Sequence, residues 1–193
     1  MDINYLIGIF IILALVLLGY TQYEHLNNEV IFIKSNHDDK EYLVRNLDDK
    51  QEAADLLARI RQKLEDLTND LYNNNGHLEE YVRLKERFNP DQITEAGKNN
   101  KYTSYSINKG EKIVLCIRQR NDNEELVDEN TITFVALHEL AHIMTKSIGH
   151  TEEFWDNFRK LLKVAIDRGI YNRIDYNKNP QEYCGITVSD SPL

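Results

Sequence analysis

His138-Glu139-Leu140-Ala141-His142 sets two imidazoles four positions apart with a carboxylate beside the first. On a helix, side chains at i and i+4 stand one above the other with Cβ atoms about 5 to 6 Å apart, so both rings can reach one metal ion. Nitrogen ligands at about 2.0 to 2.1 Å in tetrahedral array suit Zn2+, and a site with three protein ligands keeps its fourth position for water. Glu139 is then placed to take a proton from that water, which attacks a carbonyl polarised by the same ion and releases an amine that Glu139 protonates. The chemistry this spacing predicts is peptide-bond hydrolysis with one zinc ion, acting on a protein or peptide substrate.

A third ligand is needed, and His150 stands just past the helix, after Gly149, where the chain can fold back on the pair. Carboxylates compete for the position: Glu152, Glu153 and Asp156 on the next segment, and the distant Glu182. His25, His37 and His77 lie in polar surroundings and are expected at the surface. Tyr102, Tyr105 and Tyr183 are candidates to stabilise an oxyanion, a role that depends on distance to the substrate carbonyl and stays open. Cys116 and Cys184 are too far apart in sequence for a Cys-x-x-Cys pair and are expected as two buried free thiols, Cys184 as a small core residue rather than a zinc blocker.

The elements that must position these groups follow from periodicity. A helix from about Asn130 to Ser147, closed by Gly149, carries the motif, and a second amphipathic helix over Glu152 to Arg168 stops at Gly169. Lys112 to Arg118, with Ile113, Val114, Leu115, Cys116 and Ile117, is the best strand in the chain and belongs inside the main sheet. Upstream, Val30 to Lys34 and Glu41 to Arg45 form a hairpin across a turn at Ser35 to Asp39. From Asp48 to about Tyr72, Ala53, Leu57, Ile60, Leu64, Leu67 and Leu71 recur at steps of four and three, one helical face suited to packing on the catalytic domain. His77 to Phe88 is a further helix, stopped at Asn89-Pro90. Tyr183 to Val188 reads as a last short strand.

Ile3 to Leu18 contains no charged residue. With Gly19 and Tyr20 it approaches the ~20 residues that span a bilayer core, so residues 3–20 are expected to be an uncleaved single-pass membrane anchor. The flanking charges give no orientation. A net charge of -9 over 193 residues argues against a nucleic-acid partner, which calls for a basic face. The expected organisation is an anchor over 1–22, a hairpin and amphipathic helical region over 23–97, and a metallopeptidase core over 98–193.

Gly149-His150-Thr151-Glu152-Glu153-Phe154-Trp155 resembles the GHxxxF[WY] ending of SprT-like and WLM metallopeptidases. Ile107-Asn108-Lys109-Gly110-Glu111-Lys112-Ile113-Val114-Leu115-Cys116-Ile117-Arg118 is similar to the strand that WLM domains place before their active-site helix. Together these cover about Lys101 to Leu162, and the whole chain resembles uncharacterised metallopeptidase-like proteins of large DNA viruses. The resemblance implies an α+β fold, a minimal zincin-like domain with a small mixed sheet whose edge strand holds substrate extended, backed by the HExxH helix and flanking helices. It implies zinc on His138, His142 and His150 and Glu139 as base. The anchor is expected to lie in a viral or host intracellular membrane. Relatives of this kind act on protein linked to DNA or tagged with ubiquitin-like modifiers. This chain departs from them in its spacer of seven residues between His142 and His150, longer than WLM domains usually have, in lacking basic DNA-binding tails, and in carrying an anchor. A membrane-tethered structural or adaptor protein, its zinc closed by a fourth side chain, is the alternative.

Overall fold

β-branched and aliphatic residues at Ile113, Val114 and Leu115 favour a strand buried on both sides, and in the computed structural model they form the centre of the main sheet. The structure describes residues 3–27 and 29–193, the side chains of 4–6 and 22–27 lying outside the described set. In chain order the elements are α1 (Ile3–Asn27), β1 (Val30–Lys34), β2 (Glu41–Arg45), α2 (Lys50–Asn75), α3 (Glu79–Arg87), β3 (Ile93–Glu95), β4 (Tyr105–Ile107), β5 (Lys112–Leu115), α4 (Glu129–Met144), α5 (Glu152–Asp167), β6 (Gln181–Tyr183) and β7 (Ile186–Val188).

The main sheet has the order β3-β5-β4, with β3 parallel and β4 antiparallel to β5. It is small and mixed, as expected, and β4 is an edge. The central strand is shorter than the expected Lys112 to Arg118. Beyond Leu115 the chain leaves the ladder, Cys116 N–H turning to the carbonyl of Thr103 at 3.0 Å and Arg118 keeping only an isolated bridge to Leu126. β1 and β2 form the expected hairpin, Ile31 facing Val44 and Ile33 facing Tyr42. Asp55 on α2 clamps its turn, accepting from Ser35 Oγ at 2.7 Å and Asn36 N–H at 2.6 Å. The six apolar residues read as one face of the second helix are all buried, and α2 packs them against β2 and α4.

Two expectations at the C-terminal end are corrected. The single last strand is a hairpin, β6 paired with β7, because Cys184 and Gly185 both take left-handed conformations (φ 52° and 81°), the requirement of a tight two-residue turn. The two cysteines are not free thiols: Cys116 and Cys184 are joined in a disulfide, their Cα atoms 6.3 Å apart. A separation of 68 residues carries no sign of nearness in space, and the packing of this hairpin against the end of β5 supplies it.

α1 is one continuous helix, and the side chains described along it, Phe10 at 73% and Leu18 at 65% among them, are exposed. Among the described residues no helix is long and apolar enough to cross a membrane; Asn4, Tyr5 and Leu6 of the expected anchor have side chains outside the described set. One buried cluster runs from Tyr42 to Cys184, and the boundary expected between 97 and 98 falls between two strands of one sheet.

Candidate metal centre

α4 begins where Asp128 caps it, its carboxylate accepting from Thr131 N–H at 2.9 Å, which satisfies one of the free donors of the first turn. Ile132, Ala136, Leu137, Leu140 and Ile143 bury the helix in the core, leaving His138 and His142 on its remaining face. The helix ends at Met144 rather than Ser147, because Thr145 departs in extended conformation (φ -86°, ψ 138°). The segment that follows turns at Gly149 (φ 83°) and returns His150 to the same face.

There the three imidazoles meet. His138 Nε2 lies 3.2 Å from His142 Nε2 and 3.1 Å from His150 Nε2, and the ring centroids are 4.8 to 4.9 Å apart. Three nitrogens bound to one zinc at about 2.05 Å with tetrahedral angles stand about 3.3 Å from one another; the two distances from His138 match that spacing, and the donor atoms of all three residues lie within 4.8 Å of one another. One proton on His138 Nε2 can serve only one of its two neighbours; a shared cation serves all three. Burial first, then the neighbouring imidazoles, lowers His138 to about 3, and burial, His150 and Lys109 lower His142 to about 4. Both rings are therefore neutral at pH 7, the form that donates a lone pair to metal. Phe154 stacks on His142 with centroids 4.3 Å apart and meets His138 and His150 edge-on, fixing the rings in orientation.

Glu139 is 5% exposed. Burial pushes its carboxyl up to about 7, against the lowering effect of the Ser106 backbone N–H. It opens with the three imidazoles onto a cavity of about 500 Å3 whose opposite wall is Ser104, Tyr105 and Ser106, at and beside the edge strand β4. A second cavity of about 270 Å3, lined by Phe134, Trp155 and Phe158 and by the tail at Asp190 to Pro192, touches His138 from its other side.

Of the four competing carboxylates, Glu152 is exposed at the start of α5, and the other three are engaged elsewhere. Glu153 accepts from the backbone of Lys146 and Ser147, Asp156 pairs with Arg159, and Glu182 accepts from Thr187 Oγ1 at 2.7 Å. Among the described residues, His138, His142 and His150 are the group of side chains able to hold a metal ion. His37 is at the surface, its Nε2 2.8 Å from Gln62 Oε1; His77 is exposed and the His25 side chain lies outside the described set. Of the tyrosines, Tyr105 stands on the cleft wall and accepts from Asn100 Nδ2 at 3.0 Å. Tyr102 is exposed. Tyr183 is buried behind the cleft with its hydroxyl 2.6 Å from Ser104 Oγ, and burial, together with the charge of Glu139, keeps it protonated. Sequence reasoning missed Lys109, Ser106 and the structural use of Glu153; the one signal for Lys109 was its place in an Asn-Lys-Gly turn.

The family model of the WLM domain matches residues 34–190. An uncharacterized protein of Acanthamoeba polyphaga mimivirus is 36% identical over 192 residues, 97% of either chain. An uncharacterized protein of Invertebrate iridescent virus 3 is 44% identical over 85 residues, 43% of this chain and 50% of its own. Among solved structures, the crystal structure of Wss1 from Saccharomyces cerevisiae is similar, at 21% identity over 63% of this chain and 85% of that one, with a TM-score of 0.46.

Proposed function

The chain belongs to the WLM domain family, and on that premise we propose that it is a zinc-dependent peptidase. In this reading His138, His142 and His150 hold one Zn2+ ion and Glu139 is the base. The observation that carries the reading is that His138 Nε2 lies 3.2 and 3.1 Å from the Nε2 atoms of His142 and His150, the three donor groups within 4.8 Å of one another, beside a buried carboxyl that opens onto the same cleft. When bound, zinc supplies Lewis acidity toward a peptide carbonyl and acidifies an attacking water. Glu139 takes the proton of that water and passes it to the departing amine. β4 is the edge of the main sheet and lines the cleft, so an extended peptide would lie beside Tyr105 to Ile107 as an added strand. The alternative of a purely structural zinc needs a fourth side-chain ligand; among the described residues the group able to hold a metal is the three histidines without a carboxylate, which supports the peptidase.

The reading includes a membrane anchor in α1, supported by the uncharged run Ile3 to Leu18 and by its exposed aliphatic and aromatic side chains. A protein or peptide substrate follows from the cleft chemistry. The net charge of -9 disfavours nucleic acid.

Metal analysis joined to a cleavage assay tests the proposal. Purified wild-type protein should carry one zinc per chain and cleave an unfolded protein in a chelator-sensitive way. Glu139→Gln should keep the zinc and lose cleavage by at least about 100-fold, in line with the weight of general base catalysis. Protein that takes up no zinc, or a Glu139→Gln variant of full activity, overturns it.

A further inference from the structure

The segment that carries the third imidazole is long and has little apolar hold. Seven residues separate His142 from His150, Gly149 has open space around it, and Ile148 is 89% exposed. Left to itself, such a segment would sample many conformations, and ordering it would weaken metal binding by the entropy lost.

Two charged side chains grip it. Lys109 Nζ donates to the carbonyls of Ser147 at 2.7 Å, Thr145 at 3.0 Å and His142 at 3.3 Å. An ammonium has three protons to donate, and here three acceptors meet them, including carbonyls that the end of α4 leaves without partners. From the amide side, Glu153 accepts from Lys146 N–H at 3.0 Å, Ser147 N–H at 3.2 Å and Ser147 Oγ at 2.9 Å. The carbonyls of the segment thus face a cation and its amides face an anion, and bonds to ionised partners are the strong ones.

Both grips are themselves anchored. Lys109 sits in the β4–β5 turn in left-handed conformation (φ 57°), flanked by Asn108 (φ 47°) and Gly110 (φ 114°). That turn is tied to the end of α3 by Asn89 N–H donating to Gly110 O at 3.0 Å. Glu153 lies in the first turn of α5, whose cap, Thr151 Oγ1, is 2.7 Å from Ser147 Oγ. At the start of the segment, Thr145 Oγ1 donates to Ala141 O at 2.7 Å and accepts from Asn157 Nδ2 at 3.0 Å.

Resting on the zinc-site reading above, we propose that Lys109 and Glu153 are positioning residues that clamp segment 145–150 from opposite sides and so hold the His150 imidazole against those of His138 and His142. Neither touches the donor nitrogens; each acts through the backbone that carries His150. The clamp accounts for how this chain accommodates its long spacer and still completes the ligand set.

The test is metal binding by the full chain, measured for zinc by competition with a chromophoric chelator and for Co2+ by visible absorption. Variants Lys109→Met and Glu153→Ala are compared with wild type and with His150→Ala, and circular dichroism of the metal-free proteins reports folding. Removing a group that orients a ligand typically costs about 10- to 100-fold in metal affinity, so each folded variant should bind zinc at least about 10-fold more weakly. Its cobalt spectrum should move toward that of His150→Ala, a change that a merely less stable protein would not show. Lys109→Arg, which keeps the charge and part of the donor set, should recover some of the affinity. Wild-type affinity and spectrum in either folded variant overturns the clamp, and one variant suffices if the other does not fold. A wild-type protein that binds neither metal overturns the zinc reading itself.

Discussion

A carboxyl as deeply buried as that of Glu139 keeps its proton to about pH 7, and its folded value therefore lies above the unfolded one near 4.5. Below pH 4.5 the group is protonated in both states and costs nothing. As pH rises toward 7 the unfolded chain ionises first, the folded chain binds the extra proton, and stability falls; above 7 the cost is complete. Metal-free wild type and Glu139→Gln should therefore unfold in urea at similar concentrations at pH 4.5. At pH 8 the variant should be more stable by about 3 kcal/mol, the equivalent of the shift between those values. Equal stability at pH 8 would show that the carboxyl is not buried as described. The comparison cancels His138 and His142, which both proteins share. Residue types and spacing made this much legible in sequence, since i and i+4 on a helix are neighbours by geometry alone, and Gly149 before His150 signalled the return of the chain. Lys109 and Glu153 were not legible: their partners are backbone atoms of residues 142–147, and no pattern of side chains reports a backbone partner.

The β4–β5 hairpin forms one wall of the cleft, and its seat against the helices depends on Gly110. A Cβ there would lie 2.6 Å from Arg87 O and 2.9 Å from Ile143 Cγ2, at a φ of +114°. Backbone strain and overpacking each cost on the order of 1 to 3 kcal/mol. Gly110→Ala should accordingly lower unfolding free energy by about 3 kcal/mol, against about 1 kcal/mol for Gly169→Ala, where φ is +67° but nothing lies within 4 Å. Urea denaturation of the two variants measures the difference, and equal losses would mean that the hairpin does not press on α3 and α4. At this scale the helices were the most legible elements, because their apolar faces repeat over many turns. Strands were read less well. β propensity marked Lys112 to Arg118 without saying how far a partner would follow it, and Cys184-Gly185 lacks the Asn or Asp that usually announces a hairpin turn.

For the molecule as a whole, α1 is the element whose surroundings the rest of the fold does not supply. Its large aliphatic and aromatic side chains stand exposed between Ile7 and Tyr20, while among the described residues no helix is long and apolar enough to cross a membrane, so the anchor proposed above is put to a direct test. The full chain should sediment with phosphatidylcholine vesicles in high salt, and residues 29–193 should stay in the supernatant; a full chain that remains soluble beside the vesicles refutes the anchor. The α+β class with its small mixed sheet was legible through the family resemblance. The long-range link between Cys116 and Cys184 was not, since only the folded chain brings them together. That link makes the stretch between them a covalent ring, and the ring contains every imidazole of the centre, Glu139, α4 and α5. A protease that nicks the exposed turn at 121–123 would leave two fragments still tethered, so backbone scission within the ring need not release α4 and α5 from the N-terminal half of the chain.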